Sequence, residues 1–349
     1  MESHDIRGLP LEWLSSYLKD RDHSVQIANA MSEKVSMPYG VPQGSILGPV
    51  LFLIYINHLK SSLQNGRIVK YCDDTTLCIC SKTFQELEID SVIELNSCIQ
   101  NLSEINLKTN ESKSKVMMFS LNRQENLTEP CVFVEDVVLE VTDSTKFLGM
   151  HLDQGLTWND HVDKICSKVT SGIHALRILS KTCSLEILRM AYFGLIYSHF
   201  SYGIRLWGSC SQQQFLRVFR LQKKAVRIMF KLNYRESCRE AFRELGLLTL
   251  PCLYIHEVVL YCISRCNLVQ GREVHNYETR GRDTFRVQQH RTVAFAKLPK
   301  QVGVRLVNGL PEELKRIQNF NHYKAQLKGL LVSKAFYSVD EFLTCRWDN

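Results

Sequence analysis

Two adjacent carboxylates, Asp73 and Asp74, follow Tyr71 and Cys72 between two β-rich runs, residues 68–72 and 75–79. Such runs divided by so short a break predict a tight hairpin with the carboxylates at its tip. Carboxylates aimed by stiff strands suit a divalent cation that takes oxygen ligands, Mg²⁺ above all. In two-metal nucleotidyl transfer, paired ions clamp the attacking and leaving oxygens about 4 Å apart. Asp is also favoured in turns for its local hydrogen bonds, so the pair alone does not separate metal binding from turn chemistry.

A second group is cationic. Arg217, Arg220, Lys224, Arg227 and Lys231 follow helical spacing beside an apolar row of Val218, Leu221, Ala225, Ile228 and Leu232. One stripe can grip phosphates while its neighbour packs, the other reading being a solvated face. Cys252, His256, Cys262, Cys266 and His275 fit no common zinc spacing and lie in an apolar, helix-like stretch, which reads as core. Trp158, Tyr202 and Trp207 read more readily as packing anchors than as platforms for bases.

The elements that must hold these groups divide the chain. Residues 12–19 read as a short amphipathic helix with Trp13, Leu14, Tyr17 and Leu18 inward, followed by a strand-like stretch over 24–28. The breaker cluster Pro38-Tyr39-Gly40-Val41-Pro42-Gln43-Gly44 opens into an apolar stretch ending near Leu59, the pattern of a loop feeding a buried helix. A helix over 84–106 and strands over 116–120, 131–134 and 147–152 follow. Beyond about residue 155 the pattern becomes helical, over 159–181, 185–199 and 212–232. Residues 268–282, with Gly271 and Gly281, interrupt it, and one more helix carries Phe320, Tyr323, Leu327, Leu330 and Leu331. The expected domains are 1–155, 156–268 and 269–349.

A 349-residue chain that is 45% hydrophobic can build real cores, which excludes a disordered chain. Its longest apolar run, residues 46–56, is broken by Gly48 and Pro49 and falls short of the roughly 18–20 residues of a membrane helix. No secretory leader follows Met1, so the expectation is an intracellular protein of nucleus or cytoplasm, neither secreted nor membrane-bound. Thirteen cysteines without a C-x-x-C pair then read as mostly reduced, buried thiols. The net charge of +7 conceals a polarity: residues 1–150 carry 13 Lys/Arg against 20 Asp/Glu, and residues 151–349 carry 30 against 16. A basic half of this size suits phosphates, and an acidic half suits metal ions.

Gly40-Val41-Pro42-Gln43-Gly44-Ser45-Ile46-Leu47-Gly48-Pro49, followed by Tyr71-Cys72-Asp73-Asp74, closely resembles a pair of blocks in reverse transcriptases. Asn106-Leu107-Lys108-Thr109-Asn110 with Lys113 looks like that family's lysine-bearing block, and Phe147-Leu148-Gly149-Met150-His151-Leu152-Asp153 like its primer-gripping turn. Leu156-Thr157-Trp158 with His161, Ser201-Tyr202-Gly203-Ile204 with Trp207-Gly208, and Ala335-Phe336-Tyr337-Ser338 are similar to the thumb and C-terminal region of jockey-like non-LTR retrotransposon polymerases. The resemblance implies an α+β fold: a right-hand polymerase palm truncated at its front edge, then a helical thumb and a helical C-terminal domain. It implies an RNA-directed DNA polymerase working by the two-metal mechanism on an RNA template, a DNA primer and deoxynucleoside triphosphates.

Carried onto this sequence, the resemblance makes Asp73 a ligand of catalytic Mg²⁺ and Asp74 its neighbour at the same site. Tyr71 and Cys72 set the turn beneath the primer end, Cys72 standing where Ala is usual. Gln43 and Gly44 face template and incoming nucleotide, Lys113 lies near the triphosphate, and Leu148 and Gly149 grip the primer. The family's earlier block, an aromatic residue followed by another metal-binding Asp, has no counterpart here, since Asp5, Asp20 and Asp22 sit in the wrong context. The fingers are missing too. The expectation is a polymerase defective as this polypeptide, completed by an upstream polypeptide that supplies fingers and the missing Asp. The rival reading is a non-catalytic nucleic-acid-binding remnant acting through its basic C-terminal half.

Overall fold

The computed structural model describes residues 5–57, 66–120, 129–134, 137–274 and 282–347. Leu59, His275 and Gly281, singled out above, lie outside them. The described residues form two compact units, the first reaching Thr142, the second running from Asp143 onwards together with Phe119 and Ser120. Helix predominates, with small two-stranded ladders, so the mixed α and β character expected from the sequence is present.

In the first unit, α1 (Leu9–Leu18) carries Pro10 in its first turn, where the missing amide hydrogen would have had no helical partner. The inward face expected for this helix is not formed as such. It has no buried residue, and Trp13, stacked on Tyr17, is exposed. Residues 24–28 give only a fragment, Gln26–Ile27 paired with Ala30–Met31, beside a second short pair of Asp22–His23 with Val35–Ser36. Helix α2 (Leu47–Asn57) is apolar on most sides yet buries only Gly48, Leu51 and Ile56.

Strands β1 (Gly66–Tyr71) and β2 (Asp74–Ile79) form the expected antiparallel hairpin, but its turn is Cys72-Asp73, one residue earlier than expected, so that Asp74 is the first residue of β2 rather than part of the tip. Helix α3 (Phe84–Glu104) starts on a capping box, Thr83 Oγ1 accepting the Glu86 amide while the Glu86 carboxylate accepts the Thr83 amide. Its apolar stripe serves two small clusters: Cys98 and Leu102 with Ile68, Ile105 and Leu107, and Leu95 and Ile99 with Val132, Val134 and Leu139. The strands expected over 116–120 and 131–134 shrink to Lys115–Val116, paired in parallel with Glu140–Val141, and Phe133–Val134, paired with Val137–Val138. Among the described residues the ladders of this unit are two-stranded and separate, so no continuous sheet gathers its apolar side chains.

The second unit opens with strands β3 (Ser144–Phe147) and β4 (Met150–Asp153). Residues 147–152 are therefore not one strand. Leu148 and Gly149, at φ 44° and 83°, turn the chain between them, a conformation that fits the twist of a two-residue hairpin. Helix α4 (Asn159–Leu179) matches expectation. The helix expected over 185–199 is interrupted: α5 (Leu185–Tyr192) runs through a π turn, Phe193–Tyr197, into Ser198–Ser201. Gly172 of α4 lies so close to that turn that a Cβ there would sit 2.4 Å from the Leu195 carbonyl oxygen.

Helix α6 (Gln212–Phe230) starts where Ser211 Oγ accepts the Gln214 amide, and α7 (Leu250–Arg265) is buried on almost every side. The buried Gln222 side chain joins these elements. Its amide donates to Tyr192 Oη and the Leu248 carbonyl, and its oxygen accepts the Leu250 amide, which leaves no unsatisfied group to oppose its burial. Among the described residues beyond 282 there are five helical segments, Val293–Ala296, α8 (Pro299–Asn308), Glu312–Lys315, α9 (Phe320–Lys334) and Val339–Leu343, of which α9 is the helix expected on Phe320 to Leu331. Pro299 opens one of them, and the Gly309-Leu310-Pro311 break follows it. One hydrophobic core runs through this unit from Met150 to Phe342.

Candidate nucleic-acid and nucleotidyl-transfer site

The first unit presents its candidate groups on turns. Pro42 and Ser45 close a turn by a 3.3 Å backbone hydrogen bond, with Gln43 and Gly44 exposed at its crest; Gly44 takes φ 78°, which its lack of a Cβ permits. Ser45 Oγ then accepts the Gly48 amide at 3.0 Å, fixing the entrance of α2. The preceding strand-free segment is held by Arg21, which the sequence reading passed over. Its guanidinium donates to the carbonyls of Met37, Tyr39 and Gly40 at 3.4, 3.3 and 2.6 Å, and its Nε to Leu18 at 3.0 Å. No sequence signal marked it, since Arg21 lies well upstream of the Pro and Gly cluster and the fold brings its fork of donors to these carbonyls.

On the β1–β2 hairpin, Tyr71 stands opposite Asp74, and Cys72 turns the chain at φ 52°. Tyr71, Asp73 and Asp74 are exposed. Lys70 Nζ donates to the Ile56 carbonyl at 3.1 Å and so ties the hairpin to the end of α2. Lys113 lies exposed in a 3₁₀ turn, Glu111–Lys113, and among the described residues it pairs with no carboxylate. The hairpin brings Asp73 and Asp74 together, as the sequence predicts, while no recorded contact adds Lys113 to them.

The donor set falls short of a metal centre. Among the described residues no group of three or more His, Cys, Asp or Glu side chains is placed to hold an ion. Two neighbouring exposed carboxylates do not by themselves supply the oxygen-rich coordination of Mg²⁺ clamped by protein. Cys252 and Cys262, weighed above for zinc, are buried in the core of α7.

In the second unit three separated sequence blocks meet at the β3–β4 hairpin. The Tyr202 hydroxyl donates to the Leu148 carbonyl at 2.5 Å, and its ring lies against Gly149, 3.4 Å from where a Cβ would stand. The Trp207 indole donates to the Tyr202 carbonyl at 3.1 Å, and Met150 fills the space left by Gly203. Asp153 accepts the amides of Thr157 and Trp158, each at 2.8 Å, which fixes the entrance of α4. Trp158 and Trp207 are buried, as packing anchors, while Tyr202 is exposed.

Buried His161 sits between Trp158 and Trp207, and its Nδ1 accepts the His151 amide at 3.3 Å. Burial, reinforced by His151 and Lys168, pushes this imidazole down to about 4, so it is neutral at pH 7 and free to accept.

The basic stripe of α6 is only partly free. Arg217 pairs with Asp163 of α4 at 2.8 Å, and Arg227 donates to the Glu236 carbonyl at 3.1 Å. Arg220, Lys224 and Lys231 are exposed. Helix α4 thus touches the hairpin through His161 and the stripe through Asp163 and Asn159, whose side-chain oxygen accepts from Gln214 at 3.1 Å. No described helix is long and apolar enough to cross a membrane.

Residues 2–152 match the family described as reverse transcriptase (RNA-dependent DNA polymerase). The chain is 28% identical over 246 residues to the probable RNA-directed DNA polymerase from transposon BS of Drosophila melanogaster, an alignment covering 68% of this chain and 27% of that protein. It is 27% identical over 247 residues to the probable RNA-directed DNA polymerase from transposon X-element of the same fly, covering 68% of this chain and 26% of the relative. It is 23% identical over 246 residues to the RNA-directed DNA polymerase from mobile element jockey, covering 66% and 26%. The chain therefore spans little more than a quarter of the length of these relatives. No solved structure matches it.

Proposed function

We propose that the chain, whose residues 2–152 match the reverse transcriptase family and which is similar to the polymerases of mobile elements such as jockey, is part of an RNA-directed DNA polymerase. The reaction is nucleotidyl transfer: a primer 3′-hydroxyl attacks the α-phosphate of a deoxynucleoside triphosphate, and pyrophosphate leaves. Asp73 and Asp74 belong to the reacting centre, Gln43 and Gly44 to the template and nucleotide, and Lys113 to the triphosphate. Leu148 and Gly149 belong to the primer end, and the stripe on α6 to the nucleic-acid backbone. In this reading residues 1–155 are palm, 156–268 thumb and 269–349 the C-terminal domain.

The observation that carries the proposal is that the Gln43-Gly44 turn and the Asp73-Asp74 hairpin follow one another inside the matched segment, each formed and each exposed. A divalent metal is the general requirement of the family. The described residues do not complete a site for it. Alone, then, the chain binds primer–template and extends it poorly, and an upstream polypeptide supplies what the centre lacks.

Primer extension on an RNA template tests this, comparing the chain alone, a longer protein that carries upstream sequence from the same element, and Asp73→Asn in both. The expected result is incorporation by the longer protein that Asp73→Asn abolishes. Incorporation insensitive to Asp73, or none in any length of the protein, overturns the reading.

A further inference from the structure

Beyond the last turn of α6 the chain makes a braced, exposed turn that the polymerase reading leaves unused. Lys231 ends the helix at φ 53°. The Asn233 side-chain amide donates to the Glu236 carboxylate, and the Glu236 amide donates to the Asn233 carbonyl at 3.2 Å. Arg227 reaches from the helix to the Glu236 carbonyl. On the turn so held stands Tyr234, 89% exposed, with the Arg227 guanidinium carbon 5.6 Å from its ring centroid.

An aromatic side chain this open contributes nothing to the core, and its ring face is available to a ligand beside the Arg227 guanidinium. The surrounding charge is one-sided. Residues 212–237 hold seven Lys and Arg and one carboxylate, Glu236, already engaged by Asn233. Among the described residues, only Arg217 of these cations pairs with an acidic side chain, that of Asp163. Burial above all, and then the nearby Arg227 and Arg220, push the Lys223 ammonium below the usual lysine range. Such a face releases counterions when it meets a polyanion.

An exposed ring flanked by cations adds a preference that charge alone lacks. Bases inside a duplex already stack on one another, whereas an unpaired base has a free face to lay on an aromatic ring. We propose that α6 and the turn after it bind single-stranded nucleic acid, with phosphates on Arg220, Lys224 and Lys231 and an unpaired base stacked on Tyr234. This rests on the reading of α6 as a phosphate-binding surface and adds to it the requirement for an unpaired base.

Fluorescence anisotropy with the full chain tests it, using labelled oligo(dT), oligo(U) and a blunt DNA duplex of equal length over a range of salt. Tyr234→Ala is expected to weaken both single strands about tenfold while leaving the duplex and the thermal melt unchanged, and Tyr234→Trp to retain binding. The double variant Arg220→Glu, Lys224→Glu is expected to weaken all three probes and flatten their salt dependence. If Tyr234→Ala changes nothing, or weakens strands and duplex alike, the stacking proposal fails while the charge-reversal result still supports the α6 surface. If the charge reversal has no effect, or the wild-type chain binds no probe, the proposal and the reading beneath it both fail.

Discussion

The Tyr202 hydroxyl donates to the Leu148 carbonyl across 54 residues of sequence, at 2.5 Å. With Gly149 under the same ring and Gly203 making room for Met150, the tip of the β3–β4 hairpin is held from outside as well as by its own turn. Tyr202→Phe removes the donor and keeps the ring. The expected cost is about 1 kcal/mol of stability, with faster amide exchange confined to Gly149 and Met150, read by hydrogen–deuterium exchange. Unchanged exchange at the tip would show that the hydroxyl does not hold it.

His161 makes this unit sensitive to acid. Its folded-state value of about 4 lies below the 6.5 of an unperturbed imidazole, so the unfolded chain takes up the proton first. Stability is therefore flat above about pH 6.5 and falls as pH drops from 6.5 towards 4, with about 2 kcal/mol lost by pH 5. Urea unfolding at pH 7.5 and 5.0 measures the loss. His161→Asn, which keeps an acceptor for the His151 amide but does not titrate, should remove most of it.

Both features show what a sequence can and cannot reveal. The Asp73-Asp74 hairpin was legible because two β-rich runs and a two-residue break lie in one short stretch, and Thr83 with Glu86 marks the start of α3 just as locally. The stripe on α6 was legible as spacing, yet its partners were not. Asp163 and Glu236, which engage Arg217 and Arg227, come from other elements. Tyr202 meets Leu148 across 54 residues and His161 meets Trp207 from another block, so the blocks around them were visible as blocks while their meeting was not. Of the C-terminal helices, α9 was legible from the spacing of Phe320, Tyr323, Leu327, Leu330 and Leu331, while the segments of four or five residues around it are too short for a period of about 3.6 to show. The π turn has no compositional signal, and its one trace is Gly172 on the helix opposite.

Gly172 and Gly194 should respond oppositely to the same substitution. At Gly172 the new Cβ meets the Leu195 backbone carbonyl at 2.4 Å and Ile196 at 3.0 Å, and neither a carbonyl inside a helix nor its neighbour can swing away. Gly172→Ala is expected to destabilise by about 1–3 kcal/mol. At Gly194 nothing lies within 4 Å, so Gly194→Ala should be neutral or stabilise by up to about 1 kcal/mol. Paired thermal melts decide it.

Arg21 governs the segment that leads into the Gln43-Gly44 turn. Four carbonyls share its donors, an arrangement that a single ammonium group cannot reproduce. Arg21→Lys should therefore behave like Arg21→Ala, with faster proteolytic cleavage between residues 37 and 45 and no change in cleavage beyond Asp143. Rescue by lysine would mean that charge, rather than the fork of donors, holds the segment.

The two units differ most in how they bury apolar surface, and this sets the last expectation. From Asp143 onwards, α4, α6 and α7 share one core with the C-terminal helices, tied by Gln222 and by Thr249 Oγ1 donating to the Phe336 carbonyl. Up to Thr142, burial is divided between small clusters, α1 buries nothing, and Ile46 and Tyr39 stand almost fully open. Since stability scales with apolar area removed from water, residues 143–349 expressed alone should melt cooperatively near the midpoint of the whole chain. Residues 1–142 alone should bind a hydrophobic dye and lack a sharp transition, because their exposed apolar groups have no common core to enter. A cooperative melt of the first fragment would mean that its separate ladders associate more firmly than their burial indicates.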